Sequence, residues 1–118
     1  MATYSRQLLS GSTNGTPVKV VATATAGTTL HTALSGTSGF DEIYVFLTNT
    51  SGSAVAVTIE YGGVTDPDHL IVKALSLPAN SSPIPVLTGQ VLQNGLLVRC
   101  FASVANVILA SGYVNRIN

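Results

Sequence analysis

The sequence predicts an all-β fold: a single-domain antiparallel β-sandwich of about eight short strands, jelly-roll-like in arrangement. Three observations lead there. β-branched and aromatic residues recur in short segments with a period of two. Clusters of Gly, Pro, Ser, Thr and Asn separate those segments at short intervals. No long stretch carries helical periodicity. The 118 residues suffice for one domain with one modest core and leave no margin for a second.

Residues 1–16 are polar apart from Tyr4 and the Leu8–Leu9 pair, and 10–16 is a loop by composition. They read as an extended N-terminal arm, with the sandwich occupying 17–118. Pro17 opens a β-branched run through Ala26, and Pro is tolerated at a strand's first residue. Residues 28–34 form a weaker strand. In 41–50, Ile43, Val45 and Leu47 point one way and Tyr44, Phe46 and Thr48 the other, so a central strand is expected. Residues 54–61 alternate with Val55, Val57, Ile59 and Tyr61 inward and Ala56, Thr58 and Glu60 outward. With the preceding strand they read as a hairpin. Strands follow at 69–77 and 84–92, the latter an edge or irregular strand because of Pro85 and Gly89. Asn94–Gly95 supplies the positive φ angles of a type I′ hairpin turn. The segments 96–101 and 107–117 complete the domain, with Gly112 permitting a bulge or kink.

Charge is scarce. Asp, Glu, Lys and Arg make up 8% of the chain and cancel to a formal net charge of zero, against roughly 25% charged residues in an average soluble protein. Such a surface lacks the usual electrostatic barrier to self-association, so much of it is expected to be covered in an assembly. Arg6, Lys19, Lys73, Arg99 and Arg116 are scattered. Nucleic-acid binders cluster their cations against phosphates, so no nucleic-acid partner is expected. Cys100 stands alone in an apolar run, which leaves a buried inert thiol. The start has no apolar leader and no apolar run is long enough to span a membrane. Synthesis in a cytoplasm with no membrane partner is the expectation.

The inventory for catalysis is thin. His31 in the run Thr29–Ala33 reads as a solvated strand histidine on the side of Thr29. Asp66, Asp68 and His69 could touch a divalent cation, but Asp flanking Pro is ordinary turn chemistry. No fourth ligand is suggested, so no metal and no cofactor are expected. Asp41 and Glu42 are adjacent and should face opposite ways, which disfavours a shared acid–base site. Glu60 and Arg99 could form a cross-strand ion pair. No nucleophile elbow, phosphate loop or zinc spacing occurs, so the chain reads as no enzyme. The sequons at Asn14, Asn49 and Asn80 arise easily in a chain this rich in Ser and Thr. Tyr44, Tyr61, Phe101 and Tyr113 fall in strands, where core packing is the expected use.

Several segments carry a resemblance. Ala24–Ala33 leads into Phe40–Val45; Thr58–Gly63 follows; the chain ends with Leu92–Gly95, Phe101–Ser103 and Gly112–Ile117. Together, over most of residues 20–117, they resemble small structural proteins of tailed bacteriophages, of the capsid decoration or cement type. The resemblance implies a β-rich, often trimeric, non-enzymatic protein on the capsid surface of a virion. Its partners would be the major capsid protein and sister subunits. The N-terminal arm, with Tyr4, Arg6, Leu8 and Leu9, is the candidate contact with a neighbour or the capsid. The alternatives are a tail or neck component of the same particle, or a carbohydrate-binding host-adhesion module. A broad flat apolar face would favour cementing; exposed aromatics at loop tips would favour adhesion.

Overall fold

The computed structural model describes residues 3–118, so Met1 and Ala2 of the expected arm lie outside the described residues. Among the described residues nine strands form: β1 Tyr4–Leu8, β2 Val18–Lys19, β3 Thr28–Thr32, β4 Phe40–Asn49, β5 Val55–Tyr61, β6 Leu70–Leu77, β7 Ile84–Leu92, β8 Leu97–Ala102 and β9 Ile108–Ile117. One sheet runs β1–β9–β4–β7, with β2 also on β9. The other runs β3–β8–β5–β6. Every pairing is antiparallel. The pairs nest as β2 with β9, β3 with β8, β4 with β7 and β5 with β6, as if one long hairpin were rolled up. That nesting is the jelly roll.

The count of eight is recovered by geometry. β4 pairs along the whole of β9, so β1 and β2 share the other side of β9. β1 lies against residues 113–117 and β2 against 109–110. They are two halves of one strand position, interrupted by an excursion over residues 9–17.

The N-terminal arm of the sequence reading is therefore corrected. Tyr4–Leu8 is a strand of the protein's own sheet, in five-residue register with β9. Leu9 is 2% exposed and belongs to the core. At roughly 1.5–3 kcal/mol for a fully buried Leu, this segment is an integral part of the sandwich.

Two expected hairpins are also corrected. β4 and β5 lie in different sheets, and residues 50–54 turn the corner between layers. Buried Asn49 holds that corner. Its Nδ2 donates to the Ser53 carbonyl at 2.9 Å, and its Oδ1 accepts from the Ser51 amide at 2.9 Å. Asn94 and Gly95 adopt φ of 64° and 70°, as a type I′ turn requires, yet β7 and β8 belong to different sheets. Their amides instead donate to the carbonyls of Gly36 and Leu34. A short polar loop closes a hairpin and turns a sandwich corner equally well, and local sequence does not separate the two.

The run 17–26 pairs as a strand only at Val18–Lys19. The chain then leaves the first sheet, and Ala22 accepts from the Ala102 amide on the second. Gly112 makes no bulge, since β4 and β9 stay in register throughout. It is required for close approach: at its φ of 156°, a Cβ would collide with the Tyr44 carbonyl oxygen. The edge position expected for β7 holds, and two register shifts against β4 accommodate it. Ile43, Val45 and Leu47 of β4 pack between the sheets against Val55, Val57 and Ile59 of β5 and Val98 and Cys100 of β8, all essentially without exposure.

Candidate assembly interface

Alternation along β4 and β9 builds two surfaces from the same two strands. Inward positions form the core. Outward positions of β1, β9, β4 and β7 form a broad exposed face. One row across it is set by register: Leu8 beside Tyr113 beside Tyr44, with Thr88 beyond. The Tyr44 and Tyr113 rings stack with centroids 4.8 Å apart and planes 15° from parallel. The Arg6 guanidinium covers Tyr113 at 4.7 Å from its centroid. On the far side Tyr44 lies along Gly89 of β7, where a Cβ would stand 3.1 Å from the phenol oxygen. A side chain there would displace the ring. Arg6, Tyr113, Tyr44 and Gly89 thus form one packed series over all four strands.

Around it the face is apolar. Tyr4, Leu8 and Val91 are 73%, 57% and 52% exposed. Phe40, Phe46, Leu109 and Ile117 are half-buried at outward positions. Exposed Lys19 of β2 stands on the same side beside Leu109, and the charges on the outward positions of β1, β9, β4 and β7 are Arg6 and Glu42. These two, with Tyr4, Ser5 and Asn115, line an open bowl of about 500 Å³. Tyr4, Arg6 and Leu8 of the expected contact set therefore do meet on one surface, while Leu9 is behind it in the core. Core packing, expected for the four aromatics, holds only for Tyr61; Tyr44 and Tyr113 face out and Phe101 is half-buried on β8.

Beneath this face lies a polar cluster that sequence reasoning missed. His31 and Asp41 are buried, and His31 Nε2 sits 2.7 Å from Asp41 Oδ2. Arg116 donates to the same carboxylate through Nε at 2.8 Å and Nη2 at 3.0 Å. The Ser10 amide donates to His31 Nδ1 at 3.0 Å. An accepting Nδ1 makes the imidazole neutral, with its proton on Nε2 toward Asp41. Burial lowers the His31 pKa, against the raising effect of Asp41. For Asp41, burial opposes the charge, but hydrogen bonds from Arg116 and His31 prevail and hold its carboxyl below the ordinary value. Ser10, His31 and Asp41 have the composition of a hydrolase triad without its geometry. Ser10 Oγ accepts from the Thr32 amide at 2.6 Å and makes no bond to the imidazole.

The solvated position expected for His31 is thus corrected. A register shift between Thr29 and His31 turns its side chain inward. Glu60, expected outward, is 1% exposed. Its carboxylate accepts from Thr25 Oγ1 at 2.5 Å and from the Gly27 amide at 2.7 Å, so it fastens the segment covering the second sheet rather than pairing with Arg99. His69 is a turn residue whose Nδ1 accepts from the Thr65 amide at 3.3 Å. Asp66 pairs with Lys73 at 3.2 Å. No group of three metal-ligating side chains comes together among the described residues. Cys100 is fully buried, and burial, helped by the Glu60 charge, pushes its thiol up to about 12.

Comparison of the chain with protein-family models, with curated proteins and with solved structures finds no match.

Proposed function

We propose that this chain is a non-enzymatic virion structural protein that binds and stabilises a phage capsid surface through the outer face of its β1–β9–β4–β7 sheet. The packed Arg6–Tyr113–Tyr44–Gly89 series is the observation that carries the reading. Sugar-binding sites offer the free face of an aromatic ring. Here Tyr113 is sandwiched between Arg6 and Tyr44, and Tyr44 between Tyr113 and Gly89. What is presented is a pre-ordered, wide, apolar surface with aromatic and Arg side chains at its centre, the composition of protein–protein hot spots.

Size agrees. Strands of up to 10 residues at about 3.4 Å each, four abreast at about 4.8 Å, project roughly 500–600 Å². A standard interface buries about 800 Å² per partner once side-chain relief is included. The major capsid protein is the proposed partner, with sister subunits in a homotrimer sharing the contact. Repetition over a symmetric shell converts many modest contacts into strong retention.

The test is co-sedimentation with capsids that lack the protein, followed by a heat or low-salt challenge, comparing the wild type with Tyr113→Ala and Arg6→Ala. Saturable binding that hardens the shell and is lost in both variants is expected. Wild-type protein left in the supernatant would reject the cement role and favour a tail or neck component. The open bowl at Tyr4, Arg6, Glu42 and Asn115 supports a second reading, a glycan-binding host-adhesion module. A glycan screen on the same preparation distinguishes it.

A further inference from the structure

We infer that His31 is an acid-released clasp holding the N-terminal strand β1 on the sandwich. The chain leaves β1 at Leu8, buries Leu9, and crosses from the edge of the first sheet to β3 at the edge of the second. There it is held at three points. The Gly11 amide donates to the Leu30 carbonyl at 2.9 Å, the Thr32 amide donates to Ser10 Oγ at 2.6 Å, and the Ser10 amide donates to His31 Nδ1 at 3.0 Å. Only the last of these depends on a titratable group. The imidazole accepts there because its one proton is on Nε2, committed to Asp41.

A second proton has only Nδ1 to bind. Once there, it sets an N–H against the Ser10 N–H, donor against donor, and the acceptor that the buried ring had offered the 9–12 crossing is gone. The charged groups around the ring add direction. Asp41 from β4 attracts the new cation, but Arg116 from β9 already occupies that carboxylate with two hydrogen bonds. Tyr61 from β5 has its phenol pushed up to about 12 by burial, with the Asp41 charge adding to it, and stays neutral. Val98, facing His31 from β8, offers nothing polar. The Asp41–Arg116 pair survives protonation of the ring, whereas the Ser10 contact does not. Acid therefore loosens the 9–12 crossing, and with it β1, an edge strand exposed or half-exposed along its length, while β4 and β9 stay paired.

The experiment is NMR on the whole protein between neutral pH and the carboxylate range, following His31 ring nitrogens and amide hydrogen exchange corrected for intrinsic rate. At neutral pH the ring should be the Nε2–H tautomer. As pH falls from about 6.5 toward the ring's own lowered titration point, the β1 amides paired to β9 should lose protection by up to about tenfold per pH unit, as one linked proton requires, and the loss should level off below that point, with β4–β9 protection retained. His31→Gln, which cannot take up the proton, should show no such step. An Nδ1–H tautomer, a titration that leaves β1 protected, or loss of β4–β9 protection together with β1 would each overturn the clasp. The tautomer needs only wild-type protein, so the test stands even if the variant fails to fold.

Discussion

Strands β4 and β9 carry two cross-strand pairs three residues apart, on opposite faces and with opposite physics. Asp41–Arg116 points inward, where a carboxylate with no exposure is held by two guanidinium hydrogen bonds and an imidazole. Tyr44–Tyr113 points outward, where two rings stack between an arginine and a glycine. The inner pair ties the sheets together, since His31 belongs to the other sheet. The outer pair lies within one sheet and leaves the layers untouched. Removing a member of the first should therefore unfold the protein, and removing a member of the second should cost mainly contact with a partner.

The largest expected effect is that of Asp41→Asn. It leaves Arg116 without its counter-charge and the neutral His31 without its charged acceptor, and breaking a buried ion pair costs about 3–5 kcal/mol. A urea or thermal denaturation series checks this; an unchanged midpoint would show that the cluster does not hold the layers. Next is Leu9→Ala, where a cavity in the core should cost about 2–5 kcal/mol. A loss under about 0.5 kcal/mol by the same measurement would restore the free-arm reading of the N-terminus.

The pH profile sharpens the comparison. His31 has a folded pKa below its ordinary 6.5, so the unfolded chain takes up a proton first. Its contribution is complete above about pH 6.5, declines as pH falls, and levels off below the folded value. Asp41, also lowered, from 3.8, contributes fully above that value and loses its contribution as pH falls through the folded pKa. Stability should thus fall in two acid steps, and His31→Gln should remove the upper one in denaturation curves recorded across pH. The smallest stability effect belongs to Tyr113→Ala, about 0.5–1.5 kcal/mol for the ring pair. If capsid retention falls no further than that, the outer face is not the contact.

Much of this was legible in the sequence. Alternation located β4 and β5 closely, because most inward positions there are apolar, and the polar loops on either side bounded β7. Several things escaped, among them the strand pairing of Tyr4–Leu8 and the inward turn of Glu60. Which sheet a strand joins is decided by long-range pairing, so the 50–54 and 93–96 turns gave no clue. A register shift before His31 reversed the parity read from Thr29. Outward Tyr44 and Tyr113 look like core residues, because an apolar outer face and an apolar interior leave the same pattern. The buried cluster did leave one signal: Asp41 shares parity with Ile43, Val45 and Leu47, and Arg116 with Val114. In a chain this poor in charge, a charge on each of two inward stripes marks a buried pair.

Cys100 provides the molecule with its own clock. The lone thiol sits at the centre of β8, has no exposure, and is held protonated at neutral pH. Only the thiolate attacks a disulfide reagent, so modification must wait until the second sheet parts. The rate at which an added disulfide reagent consumes that thiol therefore times the opening of the sandwich, without any label being introduced.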